Sequence, residues 1–246
     1  MPTPAVIEAT NVTKIIGPAP QVTRVLTNIS LTIPAGQLTA IMGPAGAGKT
    51  TLMHLLGALQ VPSAGSILLD GQEIVGLPEE QLTTVRRRVG FVFPTPQLLP
   101  PLSVTQNLTL TCELAGRSLD AGWFARVVDT LGLAAVLPRP VPDLPPALAQ
   151  RVAIGRALMH QPLVIFADEP TSILDRRASA EILALLRTTV RELGQTVVLM
   201  TNEATAAAHA DSVLLLADGQ IVGQVDRPTI ESVRTGIDAL VLGAYL

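Results

Sequence analysis

The feature that most constrains the fold is a glycine-rich turn between an apolar run and a helical pattern. Residues 38–42 form a continuous apolar run of strand length, and the turn that follows reads Gly-Pro-Ala-Gly-Ala-Gly-Lys-Thr from Gly43 to Thr50. Glycines let the main chain curl so that successive N–H groups converge on one point, which the positive end of the next helix also faces. The segment therefore predicts a strand, a phosphate-binding loop and a helix over residues 49–59.

The lysine and threonine that close this turn carry its chemistry. Lys49 is placed to bridge the β- and γ-phosphates as a point charge, and Thr50 to present a hydroxyl to Mg²⁺. The chain has only one other lysine, Lys14, so a lysine at this position by chance is improbable. The alternative is a tight glycine turn without a ligand. The residues expected to bind the phosphates are Gly43, Pro44, Ala45, Gly46, Ala47, Gly48, Lys49, Thr50 and Thr51.

A second apolar run ends in two acids and supplies the other half of such a site. Residues 163–167 read Leu-Val-Ile-Phe-Ala and are followed by Asp168 and Glu169. Asp168 is expected to hold the Mg²⁺ shell through water, together with Thr50. Glu169 is placed to orient or deprotonate an attacking water, which makes it the candidate catalytic base. The acidic pair alone is a weak signal, and the upstream phosphate loop makes it a strong one.

Composition narrows the class of protein. The 246 residues are 48% hydrophobic, yet the longest apolar runs are of strand length, well short of the ~20 residues that span a bilayer. We therefore expect a soluble chain that docks onto another protein. A net charge of −3 and an aromatic content of 2% argue against nucleic-acid binding, because basic and base-stacking surfaces are scarce. Cys112, the only cysteine, is interpreted as a buried structural thiol.

The order of elements predicts the fold class. Short apolar strands alternate with helical patterns, which favours an α/β fold with a mostly parallel sheet, helices on both faces and an antiparallel β part. A helical stretch at about residues 95–160 is interpreted as a subdomain inserted into one domain over residues 1–225. A helical tail is predicted over residues 226–246. Residues 138–146 hold five prolines and are predicted to form an extended loop.

Along nearly its whole length the sequence resembles the ATPase subunits of ABC transporters, and more closely the macrolide-export and lipoprotein-release branch. The resemblance is carried by residues 39–44, 66–71, 86–93, 98–103, 150–158 and 167–175. It implies MgATP as ligand and a dimer that sandwiches ATP between one subunit's phosphate loop and the other's signature motif. It also implies a membrane permease that docks between core and helical subdomain, and hence a peripheral position on the cytoplasmic face of the cell membrane.

The chain departs from this family at the signature motif. The family's Leu-Ser-Gly-Gly-Gln aligns with residues 144–148, which read Leu-Pro-Pro-Ala-Leu. In the family, the serine hydroxyl and the glycine amides bind the γ-phosphate across the dimer. Pro145 and Pro146 have neither a hydroxyl nor a main-chain N–H, so they cannot donate a hydrogen bond. Both still suit the entry to a helix, because proline is tolerated in a first turn.

Three further positions differ from the family. Its glutamine after the apolar strand at residues 89–93 is replaced by Pro94, and Gln97 is the nearby residue that could reach in instead. Its switch histidine is replaced by Asn202, which can donate a hydrogen bond but cannot be protonated; His209 lies too far along the chain to substitute. The aromatic residue that stacks on adenine aligns with Ile16, which offers only an apolar contact.

These departures predict a chain that binds MgATP better than it hydrolyses it. Loss of one transition-state donor typically lowers a rate by about 10²–10³, whereas the loop amides and Lys49 are retained. We expect an ATP-binding subunit of an ABC transporter, as a homodimer or a heterodimer with another ABC ATPase, with hydrolysis weak or partner-dependent. The alternative is a catalytically inactive nucleotide-sensing or structural subunit. ABC ATPases that act on DNA or ribosomes are disfavoured by the acidic balance.

Overall fold

The computed structural model describes residues 4–18 and 21–243, and within them ten strands and eight helices follow one another. The strands are β1 Ala5–Ile16, β2 Thr23–Pro34, β3 Leu38–Met42, β4 Ala64–Leu69, β5 Gln72–Glu73, β6 Val89–Val92, β7 Val164–Asp168, β8 Val197–Thr201, β9 Ser212–Ala217 and β10 Gln220–Asp226. The helices are α1 Lys49–Leu56, α2 Glu79–Arg86, α3 Val104–Leu114, α4 Ala121–Thr130, α5 Pro146–Leu158, α6 Arg176–Leu193, α7 Ala204–Ala207 and α8 Ile230–Gly243.

Six strands form the core sheet, in the order β10-β9-β3-β8-β7-β6. Neighbouring strands are parallel except in the edge hairpin of β9 and β10. Met42 pairs with Thr201, and Asp168 pairs with Met200, so β3, β8 and β7 end at the same edge of the sheet. Ligands of such open sheets bind outside the carboxyl ends of the strands. The loops after these three strands are therefore brought together here.

The core strands are apolar on both faces because both faces are covered. Along β8, Val197 and Leu199 belong to one hydrophobic cluster, while Val198 and Met200 belong to a second. The first cluster joins the sheet to helices α3 to α8, and the second joins it to α1, α2 and the other sheet. Side chains of a strand alternate between faces, so a sheet between two layers needs continuous apolar runs.

A second sheet is antiparallel, in the order β2-β1-β4-β5, and its inner face packs in the same cluster as α1. Asp70 and Gly71 join β4 to β5 with φ angles of 52° and 74°. Asp218 and Gly219 join β9 to β10 with φ angles of 46° and 71°. Two successive positive φ angles are what a two-residue type I′ hairpin requires. Asp-Gly is one of the residue pairs that such a turn favours, so both hairpins follow from the local sequence.

Helices α3 to α5 form the helical part that the sequence predicts in the middle of the chain. Helix α3 begins with a capping box, in which the Ser103 hydroxyl accepts from the Gln106 amide at 3.2 Å and the Gln106 side chain accepts from the Ser103 amide at 2.9 Å. Trp123 of α4 donates its indole N–H to the Leu158 carbonyl at the end of α5, at 2.8 Å. The latter bond fastens α4 to α5.

Two predicted details are wrong. Residues 138–146 are not extended throughout, because Val141–Asp143 form one 3-10 turn and Pro146 is the first residue of α5. Proline is tolerated both in the 3-10 turn and at the start of α5. Its fixed φ near −65° fits a first turn, and the N–H that it lacks is not needed there. Helix α1 ends at Leu56, earlier than predicted, with Gly57 after it.

Helix α8 packs on the core sheet rather than standing apart. Val233 is fully buried, and the Val233 amide donates to the Thr229 carbonyl at 3.0 Å. A Cβ on Gly236 would lie 2.8 Å from the Leu215 Cδ1, so glycine lets the helix approach β9 closely. The predicted tail therefore contributes to the core as far as it is described; residues 244–246 lie outside the described part.

The architecture confirms the predicted fold class: a mostly parallel core sheet between helices, an antiparallel β part and a helical insert. Across the ranges that the structure covers, no helix combines the length and the hydropathy needed to cross a bilayer.

Candidate functional site

The glycine-rich loop lies at the carboxyl edge of the core sheet, between the end of β3 and the start of α1. The Gly43 amide donates to the Thr201 carbonyl at 3.3 Å, which fixes the loop to β8. A Cβ on Gly43 would come 2.1 Å from the Leu216 carbonyl oxygen, so only glycine fits. The loop opens onto a cavity of about 400 Å³. This cavity is lined by Val25, Ala45, Gly46, Gly48, Lys49, Thr50, Thr51, Pro94, Asp168 and Glu169.

Three main-chain amides of this loop, those of Gly46, Gly48 and Lys49, are placed to bind an anion. Gly46 and Gly48 have φ angles of 82° and 100°, in the left-handed region that glycine adopts without strain. Within the described structure, the amides of Gly46, Gly48 and Lys49 donate to no other group. Helix α1 begins at Lys49 without a side-chain cap, so its first amides and the positive end of its dipole stay available to a ligand.

Lys49 is buried at the base of the loop and is 6% exposed. Its ammonium group donates to the carbonyl oxygens of Gly43 at 2.8 Å and Pro44 at 3.0 Å. It also lies 3.9 Å from Glu169 Oε1. A buried charge is tolerated when it is paired and hydrogen-bonded, and these three oxygens satisfy that condition. Since an ammonium group has three donors, the two carbonyls leave one N–H for a group in the cavity.

Thr50 and Asp168 meet across the cavity, although 118 positions separate them in the sequence. The Thr50 hydroxyl donates to Asp168 Oδ2 at 3.0 Å. Asp168, the last residue of β7, is 7% exposed. The structure thus places side by side the hydroxyl and the carboxylate that the sequence predicts around Mg²⁺. Hard oxygen donors of this kind are the ligands that Mg²⁺ prefers.

Glu169 has a strained main chain. Its φ angle is 41°, in the left-handed region that costs a residue other than glycine on the order of 1–3 kcal/mol. The Glu169 amide donates to the Met200 carbonyl of β8 at 2.9 Å, and this bond holds the conformation. Strain of this kind persists where the surroundings over-determine it. Here it places the carboxylate in the cavity lining, 3.9 Å from the Lys49 ammonium group.

Helix α5 begins where the family's signature motif would lie, but its start is poor in donors. Pro145 is the N-cap residue and Pro146 the first helical residue, and no side chain caps the helix. The Leu148 and Ala149 amides both donate to the Pro145 carbonyl, at 2.9 and 3.0 Å. Ala147 therefore keeps the one unpaired amide of this turn in the described structure. The predicted position of the two prolines at the entry to a helix is confirmed.

The loop after β6 is fastened to α5 by contacts that the sequence did not reveal. Gln150, fully buried, donates its Nε2–H to the Phe93 carbonyl at 3.1 Å. The Arg156 guanidinium donates to the Gln97 carbonyl. Between them, Pro94 lines the cavity below the glycine-rich loop. The only sign of this contact in the sequence is that Gln150 is polar although it lies among the apolar positions of a helical pattern. The Gln97 side chain is exposed and does not line the cavity, so it does not replace the missing glutamine.

Five predicted site residues lie outside the cavity lining: Gly43, Pro44 and Ala47 of the loop itself, together with Asn202 and Ile16. Asn202 follows β8 and lines a neighbouring cleft with Met42 and Arg234. Ile16 is the last residue of β1 and is 45% exposed. An aliphatic residue of the antiparallel sheet that does line the cavity is Val25 of β2. No pattern in the sequence distinguishes Val25 from the other alternating residues of its strand.

Comparisons with known proteins agree with this arrangement. The profile of the family described as ABC transporter matches residues 26–172. The lipoprotein-releasing system ATP-binding protein LolD of Anaeromyxobacter dehalogenans is 39% identical over 220 residues, which cover 88% of this chain and 92% of that protein. The macrolide export ATP-binding/permease protein MacB of Chlorobaculum tepidum is 39% identical over 218 residues, or 88% of this chain. The chain spans about a third of that protein's length (33%).

Solved structures are similar over most of the chain. The ATP-binding cassette MJ0796, in a dimeric post-hydrolysis state bound to ADP and Pi, superposes with a TM-score of 0.79 at 30% identity. That match covers 91% of this chain and 99% of the other. The cbiO1 protein from Clostridium perfringens, part of the transporter complex cbiONQ, has a TM-score of 0.83 at 25% identity and covers 96% of this chain and 95% of its own.

Proposed function

The chain belongs to the ABC transporter family, and on this premise we propose that it is the ATP-binding subunit of a transporter that binds MgATP and hydrolyses it slowly by itself. One observation carries the binding proposal: unpaired loop amides, the buried Lys49 ammonium group and the Thr50–Asp168 pair surround a single cavity. The neighbouring solved cassette with ADP and Pi supports a nucleotide as the ligand.

Each part of this cavity has a task toward the phosphates. The Gly46, Gly48 and Lys49 amides would donate to phosphate oxygens, which the positive end of α1 also attracts. The free N–H of the Lys49 side chain would bridge two phosphates as a point charge. Thr50 and Asp168 would hold Mg²⁺, which when bound neutralises phosphate charge. Glu169 would orient or deprotonate the attacking water, because its carboxylate is held at the cavity.

Slow hydrolysis is supported by the start of α5 and by the loop after β6. In a homodimer of this fold, each nucleotide would meet the α5 start of the opposite subunit, which offers one amide and no hydroxyl. Pro94 has no side-chain amide with which to sense the metal or the water. Asn202 lines the adjacent cleft and cannot take up a proton. Each lost donor removes about 10²–10³ in rate, although such losses need not add.

A heterodimer reconciles the retained Glu169 with the altered α5. Another ABC ATPase with an intact signature motif would complete the site on this chain's phosphate loop. The second site of such a dimer, closed by Pro145 and Pro146, would bind nucleotide without turning it over. A homodimer would contain two sites of the deficient kind. We therefore propose a dimer in which hydrolysis depends on the partner.

A membrane permease is the second proposed partner. LolD is named an ATP-binding protein of a lipoprotein-releasing system, and MacB an ATP-binding/permease protein. By analogy, this chain would lie at the cytoplasmic face of the cell membrane, held there by a permease between its core and its helical part. The competing function is a catalytically inactive nucleotide-sensing or structural subunit, which the donor-poor start of α5 favours.

Nucleotide binding and phosphate release by the purified chain test the proposal. We expect MgATP to bind, and Lys49→Ala to weaken binding by about 100-fold or more, because the positive charge between the phosphates and its one charge-assisted hydrogen bond to them are lost. Lys14→Ala is the matched control, since Lys14 is half-buried in the other sheet, away from the cavity, and its ammonium group donates to the Val61 carbonyl at 2.7 Å. An unchanged affinity of the Lys49→Ala variant would contradict the site.

Phosphate release separates the two functions. Release no higher than that of Glu169→Gln, in a sample that binds MgATP, supports a chain that needs a partner or never hydrolyses. Addition of an ABC ATPase with an intact signature motif then decides between these two. Phosphate release that appears on this addition supports the heterodimer, and its continued absence supports the nucleotide-sensing subunit. Substantial release by the chain alone, lost in both Lys49→Ala and Glu169→Gln, would show that other groups replace the missing donors.

A further inference from the structure

A second cleft, of about 340 Å³, lies at the carboxyl edge of the core sheet. Asn202, at the position of the family's switch histidine, lines this cleft together with Arg234 of α8. Arg234 belongs to the tail of the chain, outside every motif that the sequence offers. The other lining residues are Met42, Glu203, Ala204, Thr205, Ile237 and Asp238. We refer to this cleft as the switch cleft.

Main-chain bonds place the switch cleft next to the glycine-rich loop. Met42 is the last residue of β3 and directly precedes Gly43, whose amide donates to the Thr201 carbonyl at 3.3 Å. The Thr201 hydroxyl accepts from the Glu203 amide at 3.0 Å. Asn202 therefore lies between two residues whose main chains are fixed. The switch cleft begins where the loop that is proposed to bind the phosphates begins.

Packing of α8 fixes the backbone of Arg234. The preceding residue, Val233, is fully buried, and Gly236 lets the helix approach Leu215 of β9 closely. The Arg234 side chain itself is exposed. Over residues 4–18 and 21–238, no carboxylate lies within 4 Å of its guanidinium group. The structure thus holds a cation without an acidic partner on a packed helix beside Asn202.

The cavity below the glycine-rich loop lacks a second cation. Among its described lining residues, Lys49 is the only one with a positive charge, and it lies at the base of the loop. Asn202 can donate a hydrogen bond but carries no charge. The terminal phosphate of a bound ATP would therefore meet only a neutral donor toward the end of β8. Arg234 is the charged group that the fold brings to this side.

We propose that Arg234 binds the terminal phosphate of ATP from the switch cleft and so replaces the charge of the family's histidine. The inference rests on the proposed function, because it names a residue that distinguishes ATP from ADP at that site. A guanidinium has five N–H donors in a planar fork and binds phosphate oxygens through two parallel hydrogen bonds. Glu203 and Asp238 of the same cleft are exposed, and exposed ion pairs contribute little, so a phosphate can draw the guanidinium away from them.

This contact would favour the binding of ATP more than its hydrolysis. A guanidinium supplies charge to a phosphate but does not release a proton in a protein, whereas a histidine can both donate and take up a proton. Arg234 would therefore stabilise bound ATP and leave the activation of water to Glu169. Because ADP has no terminal phosphate at this place, Arg234 should affect the affinity for ATP alone.

The affinities of the intact chain for MgATP and MgADP test the proposal. In the Arg234→Gln variant, we expect MgATP to bind about 10-fold more weakly, a difference of about 1.4 kcal/mol, and MgADP to bind as before. A merely structural role of Arg234 would weaken the binding of both nucleotides together. Arg234→Lys should retain part of the preference for ATP, because lysine keeps the charge but loses the planar fork.

Arg191→Gln is the matched control. Arg191 is an exposed arginine of α6, and it lines a different cavity beside Leu38, the first residue of β3 and thus at the opposite edge of the sheet. The substitution removes the same charge from the molecule. Neither affinity should change in this variant, so a loss of MgATP binding in Arg234→Gln alone cannot come from net charge.

A double-mutant cycle with Asn202→His separates replacement of the histidine from an independent effect. In the unaltered chain, the added histidine should raise the MgATP affinity little, because Arg234 already supplies a cation. In the Arg234→Gln background, the same histidine should restore most of the lost affinity. Equal gains in the two backgrounds would mean that the two residues act independently, which contradicts the inference.

Two further results would overturn the role of Arg234. One is an equal weakening of MgATP and MgADP binding in Arg234→Gln, and the other is an unchanged affinity for both. The unaltered chain keeps the two proposals apart. If it binds MgATP and the Arg234→Gln variant binds MgATP equally well, only the role of Arg234 is lost. If the unaltered chain does not bind MgATP, the proposed function itself is contradicted.

Discussion

Helices α1 and α5 both begin at positions where this family binds phosphate, but the two helix starts are built from opposite residues. Gly48 caps α1, and in the part of the chain that the structure describes the amides of Gly46, Gly48 and Lys49 have no internal partner. Pro145 caps α5, Pro146 follows it, and in the described structure Ala147 has the single unpaired amide of this first turn. Both helices present the positive end of a dipole. The comparison shows that the dipole alone does not make an anion site, since the donors themselves must be present.

The largest effect on the rate of hydrolysis should come from substitutions that restore the family's residues at the four positions where this chain lacks them. In the variant Pro94→Gln/Pro145→Ser/Pro146→Gly/Asn202→His, we expect the rate of phosphate release by the homodimer to rise by about 10² or more. Each restored donor is worth about 10²–10³, and the gains overlap because the groups act together. Steady-state release at saturating MgATP measures the effect.

Two controls define that result. Adding Glu169→Gln to the restored variant should remove the gain, because the gain requires the residue that activates water. The pair Pro145→Ser/Pro146→Gly alone separates the contribution of α5 from that of the other loops. If the fully restored variant binds MgATP and dimerises but releases phosphate no faster, the contrast between the two helix starts does not explain slow turnover.

A smaller effect is expected from one substitution made at both N-cap positions. Gly48→Ala should lower the free energy of unfolding by about 1–3 kcal/mol, because alanine is strained at a φ of 100°. Its Cβ would also lie 2.8 Å from Leu26 Cδ2. Pro145→Ala places the same residue at the start of α5, where φ is −57° and alanine is unstrained. Chemical denaturation of both variants gives the comparison.

Gly46→Ala refines that measurement. Its φ angle is 82°, but a Cβ there would have nothing within 4 Å, so only the backbone cost applies. We expect a loss of stability smaller than for Gly48→Ala. Equal losses at the two glycines would mean that contact with Leu26 contributes nothing, and no loss at either would contradict the view that the loop needs glycine.

The continuous apolar runs of the sequence predict the core strands well, because a strand that is buried on both faces is built mainly from apolar residues. Residues 38–42 are β3 to the residue, and both Asp-Gly hairpins form. The pairing of Thr50 with Asp168 also follows from sequence, since Thr50 closes the glycine-rich loop after β3 and Asp168 ends the apolar strand β7. The buried contact from Gln150 to Phe93 could not be predicted, because it depends on how α5 packs against the loop after β6.

The predicted nucleotide contacts of Asn202 and Ile16 stay predictions for a related reason. Each position is predicted from its distance along the sequence from a strand. Beyond the end of a strand, however, the direction of a side chain depends on the conformation of the loop. In the structure, Asn202 lines the cleft shared with Arg234, and Val25 rather than Ile16 reaches the cavity. The 3-10 turn and the helical Pro146 within residues 138–146 do not follow from the proline content, because proline excludes a hydrogen bond but not a helical turn.

Acidification should weaken the α5 side of the molecule. Burial lowers the pKa of His160, which follows the end of α5, from its ordinary value of 6.5. The unfolded chain then binds a proton that the folded chain does not, so stability is complete above pH 6.5 and falls as the pH drops below that value. The slope for one histidine is at most about 1.4 kcal/mol per pH unit. Denaturation between about pH 5.5 and 7.5 measures it.

His160→Gln provides the comparison for this pH dependence. The variant should lose part of the slope and keep the rest, because burial and Arg187 also lower the pKa of His209. An unchanged slope in the variant would show that His160 is free to take up a proton in the folded state. MgATP affinity should change little over the same range if the phosphate-loop side is independent of this histidine.

The smallest effect is expected from Pro145→Ala itself, and it is the sharpest test of what the prolines do. Removing a proline frees the unfolded chain, which costs about 0.4–1 kcal/mol of stability. The new alanine adds one main-chain amide at the start of α5, so a small part of the missing donor set returns. We expect slightly lower stability together with slightly faster phosphate release. A loss of stability with no gain in release would mean that Pro145 serves only as the rigid entry to α5, and that the hydroxyl and the second amide decide turnover.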